Sequence, residues 1–250
     1  MIRAVYQAYR NAEFVVYYQP VFDMEDRKLV GFEALLRWQH EKHGALHPTD
    51  FLGLLEDSGL IVPVGEKVLQ DACQFVREMQ DSGDTGLRVC VNVSGRQLED
   101  GGFILAMLDA IYDANIAPSS LQIELSEQVL KNHAGTLSRL FPEMCNAGVR
   151  VAIDHFGVTD LPLEALLRLP VSLLKIDQSL VKGVADDAVA QATMSGAMQL
   201  ARRAGVDVAA VGVEADAQLG VLNSMGFKEA QGRLLAPPRP ASSFLDALFS

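Results

Sequence analysis

The chain has 250 residues, 49% hydrophobic and 21% charged, with 21 Lys and Arg against 32 Asp and Glu for a formal net charge of −11. A chain of this length buries roughly 70–75% of its unfolded surface without cross-links, and its composition excludes disordered, collagen-like and mucin-like classes. The acidic surplus and the absence of a Lys/Arg run argue against binding to a nucleic-acid polymer, and no stretch reaches the ~20 apolar residues of a membrane span.

Met1 to Arg10 lacks the apolar centre of a signal peptide, so a cytoplasmic location is expected, either free or as the cytoplasmic part of a membrane-attached protein. Cys73, Cys90 and Cys145 are odd in number, far apart and set in apolar patterns, which reads as core packing in a reducing compartment. In chain order, short β-branched or apolar runs predict strands over 14–21, 29–36, 87–93, 121–125, 149–153, 173–176, 206–211 and 229–231. The connection 22–28 is too short for a crossover helix, so the first two strands are expected to pair antiparallel.

Amphipathic helical patterns separate the later strands. A helix over 64–79 sets Val64, Val68, Ala72, Phe75, Val76 and Met79 on one face. Met144 and Cys145 belong to another that stops at Gly148, with Pro142 expected to kink or interrupt it. A third, over 186–204, opens on Asp186 and Asp187, which suit its N-terminal dipole, and stops at Gly205. Met194, Met198 and Leu200 are expected in the core; His40, His43 and His47 read as solvated, since no carboxylate or cysteine spacing makes them a metal set. Strands alternating with helices over this length give the fold class: α/β, a modified TIM (β/α)8 barrel with an antiparallel first strand pair, in a single domain over 1–250.

Polar residues stand at the strand ends. Gln19 and Pro20 close the first strand, Glu33 interrupts the second, and Asn92, Glu124 and Asp154 close the third, fourth and fifth. Lys175 with Asp177 ends the sixth, and Gln231 ends the last. Each alone is an ordinary solvated or capping residue. Converging on one barrel face, amide and carboxylate oxygens beside a lysine suit a hard divalent cation and a phosphate.

With these residues in order, the chain resembles an EAL domain, the family whose active members hydrolyse cyclic di-GMP. The resemblance rests on Tyr18-Gln19-Pro20, Gly31-Phe32-Glu33-Ala34-Leu35-Leu36-Arg37-Trp38, Val91-Asn92-Val93-Ser94 and Glu124-Leu125-Ser126-Glu127. It continues through Asp154-His155-Phe156-Gly157, Leu174-Lys175-Ile176-Asp177-Gln178-Ser179, Gly212-Val213-Glu214 and Gln231-Gly232. In active relatives two divalent ions sit side by side on one phosphodiester. The resemblance implies that Glu33, Asn92, Glu124 and Asp154 hold the first Mg²⁺ or Mn²⁺, and that Lys175 orients the attacking water. It also implies that Gln19, Leu35, Arg37, Asn92, Asp154, Lys175, Gln231 and Pro238 face the dinucleotide, and that Glu127 anchors the loop after Asp154.

Two departures fall on the second-metal side. His155 stands where active members carry a second aspartate, and Val211 follows Ala210 where they carry a glutamate; Glu214 is already part of the motif and replaces neither. After Phe156-Gly157 the chain reads Val158-Thr159-Asp160-Leu161-Pro162 where relatives have Thr-Gly-Tyr-Ser-Ser, and Arg233 and Pro237 alter the far rim. One ion at most is therefore expected, with Lys175 left as a vestige of catalysis, and cyclic di-GMP could bind without metal. The reading is a non-hydrolysing cyclic di-GMP receptor in a longer signalling protein. A weak phosphodiesterase using His155 as a ligand and a ligand-free interaction scaffold are the alternatives. Other signalling domains, an effector protein or a second copy at the altered loop are the expected protein partners.

Overall fold

The structure, a computed structural model, describes residues 2–157 and 169–246. β1 (Phe14–Asp23) and β2 (Leu29–His40) pair antiparallel from Phe14↔Trp38 to Phe22↔Leu29, and β3 (Gly44–Leu46) folds back on the end of β2. From β2 the ladder is parallel through β4 (Arg88–Asn92), β5 (Leu121–Ser126), β6 (Arg150–Phe156), β7 (Leu173–Ile176), β8 (Asp207–Val211) and β9 (Glu229–Gln231). β9 pairs antiparallel with β1 and closes the ring, and β10 (Arg239–Pro240) adds a short antiparallel pairing to β1. The barrel therefore has one reversed strand, β1, as the short first connection required.

Helices cover the barrel: α1 (Ile2–Arg10), α2 (Pro48–Ser58), α3 (Ile61–Asp81), α4 (Gly95–Glu99), α5 (Phe103–Ala114), α6 (Glu127–Asn132) and α7 (Ala134–Ala147). α8 (Gln178–Gly183), α9 (Ala188–Ala204), α10 (Asp216–Met225) and α11 (Ser242–Leu245) complete the set among the described residues. α3 buries Val64, Val68, Ala72, Phe75, Val76 and Met79, and the Phe75 ring stacks 3.7 Å from that of Tyr18 and meets Phe32 edge-on at 5.0 Å. β7 is buried at all of its positions, as expected of a parallel strand covered on both sides. Among the described residues no helix is long and apolar enough to cross a membrane.

Several expectations need correction. Gln19 and Pro20 do not end the first strand: β1 continues to Asp23, and because it runs against its neighbours its carboxyl end points away from the shared face. Gln19 reaches the site from mid-strand, paired with Glu33, which is itself mid-strand in β2. Pro142 lies inside an unbroken α7; it and Ser138, whose carbonyl loses its helical donor, are exposed, while Leu137, Leu140, Phe141 and Met144 hold the inner face. α3 starts at Ile61, ahead of the expected 64, because Pro63 in the first turn needs no donor. Asp187 is an N-cap accepting from the Val189 N–H at 2.8 Å, so Asp186 lies outside α9. Cys73 and Cys90 are buried, whereas Cys145 is only half-buried. Met194 and Met198 are buried, with Leu200 packed against the core.

Candidate functional site

The parallel register sets the polar strand ends side by side: Asn92 pairs with Glu124, Ser126 with Asp154, and Val211 with Gln231. Between Ile153 and Phe156 the β6–β7 register slips by an extra residue, a bulge of the kind that re-aims side chains beside sites. There the backbone turns left-handed, at φ 55° for His155 and 96° for Gly157. Asp154 thereby meets Lys175 while His155 meets Asp177.

Three buried carboxylates, Glu33, Glu124 and Asp154, bring ligand oxygens within 4.8 Å of one another. The Lys175 Nζ sits among them, 2.9 Å from Glu33 Oε2, 2.5 Å from Glu124 Oε2 and 3.9 Å from Asp154 Oδ1. Asn92 Nδ2 donates to Glu33 Oε1 at 2.8 Å, and Gln231 Nε2 donates to Glu33 Oε2 at 2.7 Å and to Gln19 Oε1 at 2.9 Å. Gln19 in turn donates to the Ala236 carbonyl at 3.0 Å, tying β1 to the segment after β9. Beneath them Gln122, buried in β5, donates to Glu124 Oε1 at 3.1 Å.

Burial and charge set the protonation of this cluster. Burial pushes the Glu33 carboxyl up, but Lys175 and the Gln231 and Asn92 donors outweigh it, so Glu33 is held below the usual carboxylate range. Burial together with Glu33 and Asp154 raises the Glu124 carboxyl to about 7 despite Lys175. The Lys175 ammonium resists desolvation because Asp154, Glu124 and Glu33 surround it, and its pKa lies well above the ordinary lysine value. Three carboxylates against one ammonium leave surplus negative charge. That surplus is what a hard divalent cation would take up, so the donor set fits Mg²⁺ or Mn²⁺.

The sign of the Glu124 shift yields a prediction. A carboxyl whose folded pKa is raised from 4.5 to about 7 contributes stability that is complete below the lower value and lost as pH rises through the upper one. In EDTA the unfolding free energy should therefore fall from about pH 5 to 7, and Mg²⁺ should flatten that slope because it holds Glu124 deprotonated. Titrations of Mg²⁺ at pH 6.5 in buffers of different ionisation enthalpy should show proton release; heats independent of buffer would remove Glu124 from the ion's shell.

The side of the site facing Asp177 is organised differently. His155 Nδ1 lies 2.7 Å from Asp177 Oδ2 and its Nε2 lies 3.4 Å from Asp154 Oδ2. Burial lowers the imidazole's pKa, but Asp154 and Asp177 raise it further, leaving it above the ordinary histidine value. Burial raises the Asp177 carboxyl, but the Ser179 donor and His155 hold it below its usual range. Both ring nitrogens of His155 are turned to carboxylates, and Val211, half-buried on the groove wall, offers no donor at all.

Above the cluster opens a groove of about 560 Å³. Its lining joins Gln19, Glu33, Leu35, Asn92, Glu124, Asp154, His155, Asp177, Val211 and Gln231 from the strand ends to Leu52, Glu56, Ile61, Val64 and Val129 from the helices. Of the expected site residues, Lys175 lies under the groove on the carboxylates, while Arg37, Glu127 and Pro238 are not on its wall. Arg37 is on the same face of β2 as Glu33 and Leu35; its guanidinium lies 5.7 Å from the Tyr17 ring centre and donates to the Leu36 carbonyl at 2.8 Å. Glu127 is buried at the start of α6, and the loop it was expected to anchor, with Thr159 and Pro162, lies outside the described residues. Glu214 is exposed.

Sequence reasoning missed Gln122 and the apolar far wall. A glutamine inside Leu121-Gln122-Ile123-Glu124 was a visible signal of a buried polar partner; the α2 and α3 surfaces carried none, because ordinary amphipathic residues become a groove wall only when two helices meet.

Residues 2–238 match the EAL domain family. The chain is a member of the EAL family. It is 35% identical over 239 residues to the bifunctional diguanylate cyclase/cyclic di-GMP phosphodiesterase MucR of Pseudomonas aeruginosa, a match covering 96% of this chain and 35% of that protein. It is 32% identical over 238 residues to the cyclic di-GMP phosphodiesterase PdeR of Escherichia coli, covering 95% of this chain and 36% of that one. The EAL domain thus spans about a third of the length of these curated relatives. The solved PaMucR phosphodiesterase, in complex with c-di-GMP, superposes with a TM-score of 0.92 at 34% identity, over 97% of this chain and 98% of that one.

Proposed function

We propose that this EAL domain is a cyclic di-GMP receptor that binds the dinucleotide without hydrolysing it. The single observation that carries this reading is the His155 ring clasped between Asp154 and Asp177, opposite the apolar Val211. A neutral imidazole is a metal ligand through a free nitrogen lone pair, and here both nitrogens are directed at carboxylates. In this reading His155 is the fixed cation of the second position, in place of an ion. Glu33, Asn92, Glu124 and Asp154 would hold one Mg²⁺ or Mn²⁺, which when bound supplies Lewis-acid charge to a phosphate oxygen.

The chain's own residues do the rest. Lys175 holds the carboxylates together, Gln19 and Gln231 present amides suited to guanine or ribose edges, and Leu35 adds an apolar contact. Arg37 and Pro238 stand off the groove wall, and the Arg37 fork, which suits a phosphate, would have to leave the Leu36 carbonyl to reach one. Glu127 is the anchor of the loop after Asp154. The domain works as one module of a longer cytoplasmic signalling protein, and its occupied state is read by a neighbouring domain or an effector.

Calorimetric titration with cyclic di-GMP, in EDTA and in Mg²⁺, followed by chromatography of the recovered nucleotide, tests this. Binding with intact nucleotide is expected; linear dinucleotide, or no heat in either buffer, would overturn it. Gln19→Ala should weaken affinity by about 1–3 kcal/mol through a lost polar contact. Unchanged affinity would take Gln19 out of the ligand's reach.

A further inference from the structure

Among the described residues seven large apolar side chains are exposed, and six of them fall on two helices: Ile2, Tyr6 and Tyr9 on α1, and Leu105, Leu108 and Tyr112 on α5. Each helix already buries another face, through Val5 and Ala8 beside the stripe in α1 and through Phe103, Met107, Ala110 and Ile111 opposite it in α5. The exposed residues recur at helical spacing and form a second stripe, in which the Tyr6 hydroxyl donates to the Ser58 carbonyl at 3.2 Å while the ring stays exposed. α1 packs on α2, whereas α5 packs on α3, α4 and α7, so the two helices occupy different parts of the helical ring.

The charges beside the stripes are complementary. Arg3 and Arg10 flank the α1 stripe, Asp109 and Asp113 flank the α5 stripe, and all four are exposed. At 3.6 residues per turn, both charged rows lie roughly 70–110° from the centre of their stripe, turned in the same rotational sense. Two helices laid stripe to stripe bring such rows together only when they run antiparallel. A parallel arrangement puts the rows on opposite sides of the contact.

We propose that α1 of one molecule docks antiparallel onto α5 of a second copy of this chain, with Arg3 and Arg10 beside Asp113 and Asp109. The contact is head-to-tail, so each association leaves one α1 and one α5 free, and the copies build chains or a ring. The charged rim makes the association weaken with salt.

Sedimentation velocity over a micromolar to millimolar series tests this. The weight-average sedimentation coefficient of the unaltered chain should rise with concentration at low salt and rise less at high salt. Tyr9→Asp disables the α1 stripe and Leu105→Asp the α5 stripe; both positions are exposed, and unchanged circular dichroism would show that the barrel is intact. Each variant alone should stay monomeric. An equimolar mixture should recover a 1:1 dimer and stop there, since only one intact α1 and one intact α5 can meet. A monomer at all concentrations, self-association of either variant, or a mixture that stays monomeric would each overturn the proposal.

Discussion

Restoring two carboxylates, His155→Asp with Val211→Glu, is expected to raise cyclic di-GMP hydrolysis by about a thousandfold or more. A Lewis-acid metal supplies several kcal/mol of transition-state stabilisation, and about 4 kcal/mol corresponds to about a thousandfold in rate. The structure gives the change a local logic. Removing the imidazole frees Asp154 and Asp177 from their present partner, and an aspartate tolerates the left-handed φ of 55° at this position. Val211 ends β8, separated by β7 from the strand that carries the new aspartate, and lines the same groove as His155, so a glutamate there belongs to the groove rather than to the outside of the barrel. The two changes act as a unit, so each alone should give far less than its share of the gain. Product chromatography in Mn²⁺ and Mg²⁺ measures it, and a double variant no more active than the parent would overturn the role given to these two positions.

Lys175→Met is expected to cost about 3–5 kcal/mol of stability, the loss typical when one partner of a buried charge cluster is removed. Lys175 is fully enclosed by Glu33, Glu124 and Asp154, and without it three carboxylates repel one another in a low-dielectric site. For a chain of this size that amounts to roughly 6–20 °C in Tm. The loss should shrink below pH 5, where the carboxylates protonate, and millimolar Mg²⁺ should restore much of it, because a divalent ion replaces the missing ammonium. Thermal unfolding in EDTA and in Mg²⁺ across pH reads both effects. A variant as stable as the parent at pH 7 in EDTA would mean that Lys175 does not carry the charge balance assigned to it.

Much of this was legible in the residues alone. Apolar runs such as Leu173-Leu174 and Leu121 to Leu125 mark covered strands, the short connection after the first strand forces a hairpin, and Gly148 and Gly205 stop their helices with a left-handed φ. The order of Glu33, Asn92, Glu124, Asp154 and Lys175 marks the acidic cluster in the sequence, because the carboxyl ends of neighbouring parallel strands meet on one face of a barrel; that Glu33 joins it from mid-strand was not legible. Strand lengths were less legible: β1 and β2 run past their apolar segments to Asp23 and His40, carried by hairpin hydrogen bonds that do not depend on side-chain type.

What tertiary structure decided was the use of residues whose role depends on a partner far along the chain. The capture of His155 by Asp177, 22 residues on, follows from a bulge that no local pattern encodes. Gln19 reaches Gln231 across 212 residues because β1 is reversed and closes the ring against β9. Sequence determines the barrel and its polar inventory through periodicity and turn chemistry, which are local. Protonation, pairing and the groove wall arise from distances between strands and helices, and those exist only once the barrel has closed.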